Sequence, residues 1–418
     1  MKLRVFFLFL SCTLALASFS QPLKRVRPEK VGLDSRQLRY ADQAIENHIR
    51  QGEIPGAVLA VVRHGKMAYL KAYGNRQVYP DTLPMTTDVI FDMASCSKSM
   101  STAVSAMILL ERGKVRLYDP VSRFIPGFEG WKSEDGKESR DINVMHLLTH
   151  SSGLRPYLGV AAVAKEYGSP CPSGVMDYIS HMRRDFKPGT DFQYSCLNFV
   201  TLQNIIQKVS GQSLRDFAQE NIFRPLGMRH TDYLPCAPDA DGKWQNTSLP
   251  VWAEEGKDWK ELVAPETVIG PESVDKGMVH DPLARLLNGG ISGNAGIFTT
   301  ADDVAILCAA LQNGGEWNGH RILHPQTVKK MRTVPEEVSS LGRALGWDSY
   351  SDYSGNKGDL FSPDVICHTG FTGTSIVIDF GTDTSVILLI NAVHPDEGHS
   401  VGRMRAAVSS IVAASIIE

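Results

Sequence analysis

Ala94-Ser95-Cys96-Ser97-Lys98 runs directly into Ser99-Met100-Ser101-Thr102-Ala103-Val104-Ser105-Ala106-Met107-Ile108-Leu109-Leu110, an apolar stretch that reads as a helix. Ser95 then stands at a helix N-terminus, where unpaired backbone N–H groups and the positive dipole end favour a developing anion. Lys98 lies one turn on, on the same face. A serine so placed can be acylated if a neighbour takes its proton, and a lysine can do so only if burial or nearby cations lower its pKa by several units. Ser-x-x-Lys also arises by chance, as a capping serine beside a solvated lysine, so the pair alone does not define a site.

Outward from this stretch, both ends of the chain read as mixed helix and strand. Ser35 to Arg50 has apolar residues at helical spacing, with Ser35 as cap and Gly52 as stop. Ala57-Val58-Leu59-Ala60-Val61-Val62 and Met67 to Tyr73 are β-type runs joined by Arg63-His64-Gly65-Lys66, which is hairpin chemistry. The pattern returns at Ser375 to Phe380 and Ser385 to Ile390, followed by an amphipathic run from Gly402 to Ile417. Between the ends, helical runs at Met100–Glu111, Val200–Val209 and Ala301–Leu311 are joined by long Gly/Pro-bearing loops such as Leu234–Gly242 and Glu254–Leu283. The expected class is α+β: an antiparallel sheet flanked by terminal helices, built from about residues 21–93 and 340–418, with a mostly helical region at about 94–339. A cleft is expected where the two parts meet.

Two further segments bear on Ser95. Phe192-Gln193-Tyr194-Ser195-Cys196-Leu197-Asn198 precedes a helix, and Ile366-Cys367-His368-Thr369-Gly370-Phe371 precedes the last hairpin, where a glycine lets a strand edge approach a ligand closely. With Ser95 and Lys98, Tyr194, and His368-Thr369-Gly370 in this order, the chain resembles the serine β-lactamase and penicillin-binding-protein superfamily. The likeness is to its class C β-lactamase-like group, which includes esterases and D-amino-acid peptidases. Gly56–Gly74, His146-Leu147-Leu148-Thr149-His150-Ser151-Ser152-Gly153-Leu154, and Gly293-Asn294-Ala295-Gly296 leading to Ala301-Asp302-Asp303 resemble it too, so the likeness spans roughly residues 35–415.

The resemblance implies a β-lactamase/DD-peptidase-like fold, a nucleophile at Ser95, a proton-shuttling pair at Lys98 and Tyr194, and an oxyanion hole from the backbone N–H groups of Ser95 and Phe371. Two departures bear on substrate. Cys196 stands where the lactamases have an asparagine whose amide binds an acylamino group; Asn198, two residues on, is the nearest side-chain amide. His368 stands where lysine is usual. A fixed ammonium holds a carboxylate by about 1.5–3 kcal/mol, whereas a neutral imidazole offers about 0.5–1.5. The expected activity is therefore acyl-enzyme hydrolysis of an ester or amide of a small molecule, esterase first, or acyl transfer to an alcohol or amine. A D-amino-acid peptidase or carboxypeptidase, or a weak β-lactamase, acting on peptidoglycan-type substrates is the alternative. A penicillin-binding or sensor module without turnover is a third reading. No metal or organic cofactor is called for.

The 418 residues carry 43 basic and 46 acidic side chains, with 43% hydrophobic and 21% charged residues, an ordinary globular balance without a basic excess for nucleic acid. Met1-Lys2-Leu3-Arg4, the apolar run Val5–Ala17 and Ser18-Phe19-Ser20-Gln21 read as a signal peptide over residues 1–20. An exported protein, periplasmic or secreted, is expected, with residues 21–418 as its domain. That apolar run is short of the about 20 residues a membrane span needs, and no later stretch supplies them. Cys12 as a lipidation site is the less favoured reading. The remaining cysteines are read as free, buried thiols, because a chain this long does not need staples. His146 and His150, four apart, could share a zinc ion but read better as packing and capping residues. His394-Pro395-Asp396-Glu397-Gly398-His399 reads as an exposed loop, and His280-Asp281 as a possible cleft wall. Gly289-Gly290-Ile291-Ser292-Gly293 lacks the ending of a phosphate loop.

Overall fold

Ala57 to Val62 alternate between two cores. Val58, Ala60 and Val62 pack into the cluster that extends through the helical region, while Ala57, Leu59 and Val61 pack against the terminal helices. Apolar on both faces, this run is the centre of a six-stranded antiparallel sheet, as a strand covered on both sides must be. The computed structural model, which describes residues 22–270, 273–398 and 400–417, gives the order Val365–Thr369, Ser375–Asp379, Thr384–Ile390, Gly56–Arg63, Lys66–Gln77, Leu83–Pro84. Ala57 pairs with Ile390 and with Tyr73, so the two hairpins anticipated at the chain ends meet through their inner strands. The expected signal peptide and Cys12 lie outside the described residues.

The helices Ser35–Arg50 and Gly402–Ala414 cover one face through Leu38, Ala41, Ile45, Met404, Val408 and Val412, spaced one helical turn apart. The first begins one residue earlier than expected: Asp34, not Ser35, is its cap, its carboxylate accepting the Arg36 N–H at 2.8 Å. Helices Cys196–Ser210 and Ala301–Gln312 lie in the inserted region, as expected. That region is less purely helical than the periodicity suggested. Ile297–Thr299 and Asp232–Tyr233 form a small sheet with Phe91–Asp92 from the adjoining part, and the expected 234–242 loop holds a hairpin strand, Cys236–Pro238, paired with Trp244–Asn246. These strands are two or three residues long, too short for alternation to register. All six described cysteines are free, and no described helix is long and apolar enough to cross a membrane.

Candidate active site

The short strand Phe91–Asp92, bound to Ile297–Thr299, delivers the chain to Ser95. Ala94 there has φ 43°, a left-handed conformation that costs an alanine about 1–3 kcal/mol. The surroundings enforce it. The Asp92 carboxylate accepts the Ala94 N–H and the His280 N–H, both at 2.8 Å. Thr372 and Thr374 donate to the carbonyls of Asp92 and Met93 at 2.8 and 3.1 Å, fastening the loop after the edge strand to the Ser95 turn. A Cβ at Gly370 would lie 2.2 Å from the Thr374 hydroxyl and 2.6 Å from the Met93 carbonyl, so only glycine permits this approach. Among the described residues, neither the Ser95 N–H nor the Phe371 N–H donates a hydrogen bond.

The helix beginning at Cys96 places Lys98, fully buried, beneath Ser95. Its ammonium donates to Ser95 Oγ at 2.8 Å and to the Asn294 carbonyl at 2.9 Å, and it lies 3.5 Å from Cys196 Sγ. The Tyr194 ring lies beside the pair, its centre 5.0 Å from the Lys98 ammonium, and Ser95 and Lys98 both act on the ionisation of its hydroxyl. Burial disfavours the ammonium, but Cys196, Tyr194 and Asp281 outweigh it and hold the Lys98 pKa above its ordinary value. Burial likewise pushes the Tyr194 phenol up, against the pull of Lys98. The surroundings thus favour the ammonium form of Lys98, and burial favours the phenol form of Tyr194.

Two connected chambers open on Ser95, Tyr194 and Phe371. One, of about 530 Å³, is lined by Tyr157, Cys196, His280, Asp281, Pro282, Ala295 and Glu397 among others. The other, of about 320 Å³, is lined by His368, Thr369, Gly370, Arg343, Tyr353 and Arg405. His368, Thr369, Gly370 and Phe371 are thus brought to the cleft, as are His280 and Asp281. Phe371, 67% exposed, stacks on His280 at 5.6 Å. His368 is buried between the Thr369 carbonyl, 2.9 Å from Nδ1, and Arg343, 3.1 Å from Nε2. Burial and the adjacent Arg343 charge lower its pKa well below the usual histidine value.

Asn198 corrects the sequence reading. Its amide faces away from the cleft, accepting from Ser152 at 2.5 Å and contacting His150 at 3.1 Å. Two residues along a helix turn a side chain by about 200°, so with Cys196 facing Lys98, Asn198 must face the opposite side. Cleft members that the sequence reading missed include Arg343, Arg405, Arg285, Tyr157, Tyr353 and the Asn294 carbonyl. Local sequence carries no signal for the arginines or tyrosines, and the Gly293-Asn294 segment reads only as family-like. His394 is buried, its Nε2 accepting the Val78 N–H at 3.1 Å, rather than exposed in a loop. His399 lies outside the described residues. His146 completes a capping box with Asn143. Gly290 and Gly293 permit close backbone packing, against Leu234 and Phe199.

Behind the Ser95 turn, Glu266 is 2% exposed, and neither carboxyl oxygen finds a hydrogen bond of ordinary geometry among the described residues. Burial first, then the charges of Asp92 and Asp275, raise its pKa well above the usual range. A raised folded pKa means stability that is present below the unfolded value near 4.3 and lost as pH climbs through the folded one. Glu266→Gln, neutral at every pH, should melt at least about 2 °C above wild type at pH 8, with the gap closing at pH 4 in thermal melts. A constant gap across that range would contradict the ionisation argument.

A Beta-lactamase family profile matches residues 41–409. An Escherichia coli (strain K12) protein described as a candidate D-alanyl-D-alanine carboxypeptidase is 29% identical over 398 residues, covering 93% of this chain and 89% of that protein. An N-acetylmuramyl-L-alanine amidase of Bacillus subtilis (strain 168) is 29% identical over 394 residues, covering 90% and 87%. Among solved structures, the fold is similar to that of EstCE1, a hydrolase with promiscuous acyltransferase activity. The TM-score is 0.68 at 23% identity, covering 90% of this chain and 99% of that one. It is also similar to a class C beta lactamase, with TM-score 0.64 at 21% identity and coverage of 91% and 98%. With the family profile spanning most of the chain, and with Ser95, Lys98 and Tyr194 close together beneath an edge strand, the chain belongs to the Beta-lactamase family and is a serine hydrolase.

Proposed function

We propose that this chain is an acyl-enzyme hydrolase whose substrate carries a carboxylate close to the scissile amide or ester, as a D-amino-acid peptide does. One observation supports the carboxylate above all. Arg405, from the terminal helix, lines the smaller chamber and donates only to backbone carbonyls, those of Gly370, Gly373 and Thr374 at 2.7, 3.1 and 3.0 Å. Among the described residues it has no carboxylate partner, and burial pulls its pKa down to about 10. Arg343, by contrast, is paired with Asp348. The cation that His368 cannot supply is thus available from another element. The name of the Escherichia coli relative, a candidate D-alanyl-D-alanine carboxypeptidase, supports the same class.

In this reading Ser95 Oγ attacks the carbonyl carbon, and the N–H groups of Ser95 and Phe371 hold the resulting oxyanion, each contributing about 2.7–4 kcal/mol to the barrier. The serine proton passes to the Lys98–Tyr194 pair once that pair has lost one proton, an ionisation that belongs to both groups together. Collapse of the tetrahedral intermediate breaks the scissile bond, the pair returning the proton to the departing amine or alcohol. Water then adds to the acyl-enzyme, releasing the acid and restoring the Ser95 hydroxyl. A second reading, esterase or acyl transfer to an alcohol or amine, is favoured by the larger chamber, whose Tyr157, Pro282, Ala295 and Phe371 offer an apolar berth for an acyl chain or acceptor.

The test compares an N-acyl-D-alanyl-D-alanine, its C-terminal amide, a chromogenic ester and a chromogenic cephalosporin. We expect the free acid to exceed the amide about 10-fold or more in kcat/KM, and Arg405→Met to remove that preference, since a charged hydrogen bond is worth about 1.5–3 kcal/mol. Equal handling of acid and amide would refute the carboxylate site. Turnover of the ester alone would favour the second reading, and turnover of none would exclude a hydrolase acting on these bonds.

A further inference from the structure

We propose that His150 is the positioning residue for Tyr194, acting through its δ nitrogen. The backbone on both sides of Tyr194 is tied to this one histidine. The His150 carbonyl accepts the Gln193 N–H and its Nδ1 accepts the Ser195 N–H, both at 3.0 Å. Its ring, fully buried, lies 4.5 Å from the Tyr194 ring and 5.1 Å from that of Phe199.

A one-way chain of hydrogen bonds sets the tautomer. The Leu154 N–H donates to Ser152 Oγ at 3.0 Å, the Ser152 hydroxyl to Asn198 Oδ1 at 2.5 Å, and the Asn198 amide to His150 Nδ1 at 3.1 Å. With two donors aimed at it, Nδ1 must be bare and the proton must sit on Nε2. Nε2 is buried with no hydrogen-bond partner among the described residues, and His150 has φ 55°, in the left-handed region. A side chain present only to fill space would require neither the orphaned donor nor the unfavourable backbone. What histidine supplies that leucine cannot is an acceptor at the δ position, and both its donors belong to the Tyr194 segment or to the helix that follows it. Loss of that acceptor should shift the phenol from the point where it meets Ser95 and Lys98, and displacements near 1 Å cost about 10²-fold in rate.

The inference rests on the hydrolase reading, with Tyr194 in the proton path. Its test uses the whole chain, a chromogenic ester and the mass of the Ser95 adduct with a fluorophosphonate probe. His150→Asn keeps an acceptor at the δ position and tolerates the left-handed backbone; His150→Gln moves the acceptor one bond further out. We expect His150→Asn to keep kcat within about tenfold of wild type. His150→Gln and His150→Leu should lose about 10²-fold in kcat, with KM changed less than about threefold. Should His150→Leu not fold, the Asn and Gln variants still decide. Equal kcat in those two, or losses confined to KM, would overturn the proposal. A wild-type chain that neither turns over the ester nor forms the adduct would overturn the hydrolase reading, and with it this inference.

Discussion

Ser95→Ala is expected to abolish acyl-enzyme formation and to lower turnover by about 10⁴–10⁶-fold, the scale of nucleophile deletions in serine hydrolases. The fold should survive, because the turn is shaped by Ala94, Asp92 and the two threonine bonds rather than by the Ser95 hydroxyl. The checks are a mass adduct with a serine-reactive probe, present in wild type and absent in the variant, and an unchanged melting temperature. Residual turnover above one hundredth of wild type would mean that another group attacks.

Lys98→Met should lower kcat by about 10³-fold or more while the fold survives with a modest loss of stability. The side chain is fully buried and its ammonium is bonded to a hydroxyl, a thiol and a backbone carbonyl, in surroundings that favour the charge. A methionine of similar volume keeps the packing but gives up those bonds, at a cost of about 1–3 kcal/mol. The rate loss follows because the ammonium is the group that adjusts both Ser95 and Tyr194, and acid–base contributions of this kind run to about 10²–10⁴-fold. Thermal melts and single-turnover acylation read the two effects separately. A variant that no longer folds would show that Lys98 is structural, and one that folds and keeps more than a tenth of wild-type kcat would show that it is not in the proton path.

The parts of this molecule that could be read in advance are those whose signal is local. Ala57–Val62 is apolar at every position because both faces are covered, and Ser95 and Lys98 are one helical turn apart. What could not be read is assembled from distant elements. Arg405 comes from the last helix, Arg343 from an irregular segment, and the Asn294 contact uses a backbone oxygen that every residue possesses. The sequence reading argued against a carboxylate from His368 alone, but a pocket's charge is the sum over all its walls. Asn198 failed for a different reason: its closeness in number to Cys196 concealed a half-turn of helix. His394 sits among polar and turn-forming residues, yet a single bond from the Val78 N–H accompanies its burial.

Ala57 pairs with Ile390 across about 330 intervening residues, and the edge strand that faces Ser95 attaches to the rest of the sheet through those late strands. During synthesis, therefore, a chain that has produced Ser95, Lys98 and Tyr194 still has no wall opposite them. Such distant pairing also makes the closing step slow, since a long loop must be drawn together before any contact rewards it. A truncation shortly before Thr384 should therefore leave the Ser95, Lys98 and Tyr194 side chains present in sequence but without the sheet that holds the facing edge strand.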